Sequence, residues 1–170
     1  MLSPVIRVSF PWHNRFGRPV LRTAATAGLC LALLGACSEA AKDTHPQQWV
    51  SKRQAVFKQM TKALEPMGLV ARGRQDYRAA DFKEHADTLL TLAPQPWPLF
   101  APDSNYPPTR ARPAVWQVPA DFKRAQDEFL ASVKALHAVA GGGDLDAIRA
   151  AVNAVEKSCK SCHDNFRSER

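Results

Sequence analysis

A chain of 170 residues with 23 Lys+Arg against 16 Asp+Glu carries a formal charge of +7, a balance basic enough to raise nucleic-acid binding. Four of those arginines (Arg7, Arg15, Arg18 and Arg22) fall in the first 36 residues beside no acid, so the remainder holds 19 basic against 16 acidic residues, a formal +3. The excess belongs to the leader, so composition gives nucleic-acid binding no support, and the 134 residues that follow suit one domain around one core.

Residues 1–36 read as an export signal. The arginine-only start is followed by an apolar stretch of thirteen residues, Ala24 to Ala36, ending in small residues around a cysteine. That stretch is too short to span a bilayer comfortably. Leu34-Gly35-Ala36-Cys37 resembles a bacterial lipobox, which would make Cys37 a lipid-modified first residue and a membrane anchor for the mature chain, 37–170. The alternative is a plain cut near Ser38 or Ala40 with Cys37 discarded. Either way the product is expected in the bacterial periplasm, soluble or lipid-anchored.

Four helical stretches follow, with no convincing strand alternation. The first is expected to open near Thr44 and Pro46 and carries Val50, Val56, Phe57, Met60 and Leu64 as a stripe interrupted by Arg53. Pro66 is expected to kink or end it. The second runs from about Ala79 to Leu92, with Phe82, Ala86, Leu89 and Leu90 on one side. Residues 94–119 hold eight prolines with Trp97, Phe100, Tyr106 and Trp116, excluding helix and central strand. So many aromatics predict an ordered loop packed over the core. The third stretch spans about Ala120 to Ala140 with Phe122, Phe129, Val133 and Leu136, and Gly141-Gly142-Gly143 ends it. Asp144 caps the fourth, where Leu145, Ile148, Val152 and Val155 lead to Cys159-Lys160-Ser161-Cys162-His163. Four amphipathic helices with one long connection predict an all-α four-helix bundle.

Cys-x-x-Cys-His is the attachment signature of a c-type haem. On a helix, residues at i, i+3 and i+4 share a face, so both sulfurs and the imidazole meet one flat macrocycle. Cys159 and Cys162 are the expected thioether sites and His163 the expected iron ligand. A zinc site would want four nitrogen or sulfur ligands, and the sequence has no second Cys-x-x-Cys or His-x-x-x-His run. Two haem propionates would bring the mature charge close to neutral. After His163 only 164–170 remain, without methionine or histidine, so any sixth ligand must come from an earlier helix.

Taken with Arg53-Gln54-Ala55-Val56-Phe57, Pro96-Trp97, Arg110-Ala111-Arg112-Pro113-Ala114-Val115-Trp116 and Ser158 to Arg167, this C-terminal motif resembles class II cytochromes c, the cytochrome c-prime family. The resemblance implies one haem c held in the core of the bundle. It implies that Arg53 and Gln54 contact a propionate, with Thr109 as the best contact from the loop. It puts Arg167 on the His163 face, near the proximal side, and Phe57 over the open iron face. Phenylalanine has no lone pair for iron. The implied function is five-coordinate, high-spin iron that binds nitric oxide and carbon monoxide, with electron transfer as a further role. An apolar pocket offers no hydrogen bond to dioxygen, which needs one more than nitric oxide does.

Met60, one turn on from Phe57, is the rival ligand of a six-coordinate, low-spin electron carrier of the c-556 type. A third reading is a haem-free interaction protein with a reactive Cys159/Cys162 pair. No nucleophile–base pair or carboxylate dyad stands out, so no enzyme is expected. The redox partner is not specified. Homodimers occur in the resembling family, though Pro66 bears on any dimer surface built on the first helix. His85 and His137 are expected at the surface, and Trp97 and Trp116 as packing for the loop.

Overall fold

The computed structural model describes residues 42–169, and the leader with Cys37 lies outside the described residues. Helices α1 (Trp49–Ala71), α2 (Ala79–Leu92), α3 (Ala114–Gln117), α4 (Pro119–Val139) and α5 (Leu145–Phe166) make up most of it. The four long helices form a ring in which α1 packs on α2 and α5, and α4 on α2 and α5. Seven residues join α1 to α2 and five join α4 to α5, so each pair folds back on itself as a bundle requires.

The apolar stripes meet at the centre. Met60, Ala63 and Met67 of α1 pack with Phe82, Ala86 and Leu89 of α2, Phe129, Val133 and Leu136 of α4, and Ile148, Val152 and Val155 of α5. Helix ends are fixed by local chemistry. Asp144 accepts from the backbone N–H groups of Asp146 (3.0 Å) and Ala147 (3.1 Å), capping α5 as expected. Gly143 supplies the left-handed turn before it, with φ 75°. The Tyr77 hydroxyl donates to the Ala140 carbonyl at 2.9 Å, tying the α1–α2 turn to the end of α4.

Three expectations are corrected. Helix α1 opens at Trp49, not near Thr44 and Pro46. The Asp43 carboxylate accepts from His45 N (3.1 Å) and Ser51 N (2.8 Å), so 43–48 wraps into a turn that caps the helix from outside. Pro66 does not end α1, which continues to Ala71. Met67, Gly68 and Val70 are buried beyond it, and that packing offsets the hydrogen bond the proline cannot donate. Residues 94–119 are not wholly irregular. Trp97–Leu99 form a 3-10 turn and Ala114–Gln117 the single-turn α3, each beginning at a proline (Pro96, Pro113) whose missing N–H costs nothing there.

Candidate haem site

One end of the bundle opens into a cavity of about 640 Å³ walled by α1, the long connection, α4 and α5. That volume falls within the roughly 300–1,000 Å³ usual for cofactor sites. A smaller cavity of about 250 Å³ lies at the α1–α2 turn, against Pro66, Asp81 and His85, and contains no cysteine.

The last turns of α5 carry Cys159, Cys162 and His163 to the large cavity, along with Ser158, Phe166 and Arg167. Both cysteines are free thiols. Burial and then the neighbouring Cys159 push the Cys162 pKa up to about 11, and burial followed by Glu156 raises that of Cys159. Both therefore stand protonated at neutral pH. The His163 pKa is lowered by partial burial first and then by Arg167 and Arg110, against Asp164. Its imidazole is neutral there, the form that ligates a metal.

Much of the remaining wall is aromatic. Phe57 meets Trp97 edge-on at 5.9 Å and Phe100 at 6.4 Å between centroids. Trp97 meets Phe129 at 5.9 Å, and Phe122 meets Phe100 at 5.1 Å and Phe166 at 5.2 Å. Met60 also lines the cavity but is almost wholly buried in the main core.

The polar end is built around Arg53, which is 3% exposed. Its Nη1 donates to the Leu99 carbonyl (3.0 Å) and Ser104 Oγ (2.9 Å), and its Nη2 to the Ser104 carbonyl (3.1 Å) and Thr109 Oγ1 (2.6 Å). Four Nη hydrogens thus meet four protein acceptors, and the guanidinium lies 4.5 Å over the Phe100 ring. Burial lowers its pKa, against Tyr106 and Asp43, yet an arginine stays charged. Gln54 is exposed at the rim, its Nε2 3.4 Å from the Pro108 carbonyl. Thr109 Oγ1 accepts twice, from Arg53 and from Ala111 N (3.0 Å), leaving its hydroxyl proton to donate.

All eight residues singled out from the sequence therefore line one cavity. The sequence reading left out Phe122, Phe129 and Phe166, whose helical stripes look like ordinary core, and Phe100, which looks like loop packing, and gave Trp97 chiefly a packing role. It also left out a clamp. Ala111 pairs with Arg167 as an antiparallel bridge, Arg112 N donates to the Phe166 carbonyl (2.9 Å), and Ser168 N to the Arg110 carbonyl (2.9 Å). His85 and His137 lie away from this cavity, and His137 Nε2 sits 2.7 Å from Asp87 Oδ1 across α2 and α4.

The fit to haem can be tested on these residues. Among the described residues no three His, Cys, Asp or Glu side chains converge to hold a bare ion. Two protonated thiols and one neutral imidazole on a single helix face instead suit a macrocycle whose iron asks the protein for one axial nitrogen. Aromatic walls suit its faces, and the Trp97 indole N–H is buried there without a partner among the described residues. The residues fit.

Comparison with known proteins agrees. A family model described as Cytochrome C' matches residues 48–167. The chain is 37% identical to cytochrome c' of Alcaligenes xylosoxydans xylosoxydans over 125 residues, covering 74% of this chain and 97% of the relative. It is 30% identical to cytochrome c-556 of Rhodopseudomonas palustris over 159 residues, covering 88% and 99%. A ferrous variant of cytochrome c prime from Alcaligenes xylosoxidans with bound NO superimposes with a TM-score of 0.70 at 35% identity, covering 76% of this chain and all of that one. A carbon monoxide-bound variant of the same protein gives 0.69 at 37%, covering 77% and 100%. With a helical bundle, a terminal Cys-x-x-Cys-His and relatives matched over nearly their full length, this chain belongs to the cytochrome c' family, whose members carry one covalently attached c-type haem.

Proposed function

We propose that this chain is an exported monohaem cytochrome whose five-coordinate, high-spin iron binds nitric oxide and carbon monoxide. The observation that carries the reading is Phe57, an aromatic ring with no donor atom, set in the cavity wall among Trp97 and Phe100. The haem would supply an iron able to take one small diatomic ligand or to exchange one electron.

The protein's own residues divide the work. Cys159 and Cys162 would hold the haem through two thioether bonds. His163 would hold the iron from one side through a neutral ring nitrogen. Phe57, on the cavity wall, would crowd the face left open and offers no hydrogen bond, which would disfavour dioxygen more than nitric oxide. Gln54 and the Thr109 hydroxyl stand at the polar end, where propionates belong. Arg53 orders that end and keeps only its Nε–H for a carboxylate. Arg167 puts positive charge beside His163. Two of the structural relatives hold bound NO and carbon monoxide, which supports the same ligands here. A binding and relay site of this kind requires no enzyme machinery. Residues 1–36 would direct export to the periplasm, with Cys37 as a candidate lipid anchor. No helix among the described residues is long and apolar enough to cross a membrane.

The second reading is a six-coordinate electron carrier with Met60 bonded to iron, favoured by Met60 lining the cavity. Optical spectra of the ferrous holoprotein, with and without carbon monoxide, separate the two. The expected result is a high-spin spectrum that changes on adding carbon monoxide. A low-spin spectrum that resists carbon monoxide and becomes high-spin in Met60→Ala would replace the first reading with the second.

A further inference from the structure

Arg110 is a cation that the fold takes trouble to hold. Its Nη2 donates to the Ser168 carbonyl at 2.6 Å, and its own carbonyl accepts from Ser168 N (2.9 Å) and Ser168 Oγ (3.2 Å). Main chain and side chain are thus both pinned to the residue two beyond the end of α5. Its Nε is buried and without a partner among the described residues. No ion pair among those residues balances the charge, whereas three other ions near the cavity are engaged. Arg53 spends its Nη donors on the loop, Glu156 pairs with Arg72 at 2.8 Å, and Asp164 pairs with Lys160 at 2.5 Å. Lys58 of α1 is exposed at the rim. Arg110 lines the same cavity as Cys162, His163 and Arg167, and its neighbour Ala111 pairs with Arg167, four residues past His163.

We propose that Arg110 is a positioning residue for His163, an uncompensated charge clamped beside the axial imidazole so that it weakens the ligand's electron donation to iron. This rests on the haem reading above. A fixed cation near a ligating imidazole opposes negative character on the ring and makes the oxidised, more positive metal less favourable. Its field acts in a half-buried site and so is less screened than at an open surface. The clamp explains why a loop residue can do this steadily, because Arg112 Nη1 also donates to the Asp164 carbonyl (3.0 Å), next to His163.

The test compares holoproteins made in a haem-attaching host, reading the ferric/ferrous potential and the ferrous iron–histidine stretching frequency. Arg110→Gln should lower the potential and raise the frequency. Arg110→Lys, which keeps the charge, should stay near the parent on both. Arg110→Met serves as a second neutral variant should the glutamine form not accumulate. Arg149→Gln, the same charge loss on α5 at a residue paired with Asp146, should move neither reading. Arg112→Gln, which loosens the clamp and leaves the Arg110 charge, should move both readings less than Arg110→Gln does. Unmoved readings in a folded, haem-bearing neutral variant overturn the assignment. So does an equal shift in Arg112→Gln, or a change confined to the propionate bending mode. A parent protein without the haem mass increment would instead overturn the haem reading itself, and Arg110 with it.

Discussion

Arg53 shows most directly how one residue can be read correctly as important and still be given incomplete partners. A charge within an apolar stripe beside an acidic cofactor suggests a carboxylate contact, whereas the guanidinium fastens α1 to a loop 46–56 positions further along the chain. Removing it would leave the Leu99 and Ser104 carbonyls and two hydroxyls short of a donor in a buried place. Arg53→Leu is expected to lower stability by about 3 kcal/mol, the size of one or two charge-assisted hydrogen bonds, read from the urea midpoint of the holoprotein. The cysteines and His163 are different. Their spacing alone aligns them on one helix face, so no tertiary information was needed to name them.

At the scale of the element, periodicity marked α2, α4 and α5 closely, because each stripe faces one core and has a recognisable stop or cap. The ends of α1 were not legible. Its cap, Asp43, acts across eight positions, and its passage through Pro66 depends on what Met67 and Val70 touch. The Asp43 carboxylate is 7% exposed, and the burial that would raise its pKa is outweighed by the Ser51 and His45 N–H groups, which hold it below the ordinary value. A depressed acid contributes stability that is present above its unfolded pKa and lost as pH falls through the folded one. The melting temperature of the parent should therefore fall as pH drops below about 4, the ordinary Asp range. Asp43→Asn should melt lower at neutral pH and lose less on acidification. Equal pH slopes in the two proteins would count against this role for Asp43.

For the molecule as a whole, the cavity is too large to be a neutral feature. At roughly 24 cal/mol per Å³, an unfilled apolar space of about 640 Å³ would cost on the order of 15 kcal/mol. That is an upper bound, because the mouth admits water, but it equals the top of the roughly 5–15 kcal/mol available to a domain. On the haem reading, the macrocycle would cover these aromatic walls and remove that cost. The double variant Cys159→Ala/Cys162→Ala, unable to attach haem, should show a lower and broader thermal transition than the holoprotein, followed by helical circular dichroism. A melting curve that matches the holoprotein would mean that the bundle closes its own core.

The sequence by itself determined the helices, their buried stripes, the Asp144 cap and the three haem-directed side chains of α5, all properties carried within one element by i, i+3 and i+4 spacing. Only the tertiary structure decided what Arg53 holds, which aromatic rings form the wall with Phe57, and that 110–112 clamp the end of α5. Those contacts join residues 40–58 apart in the chain, where local pattern carries no signal and partners are chosen by packing and by the need of each buried donor for an acceptor.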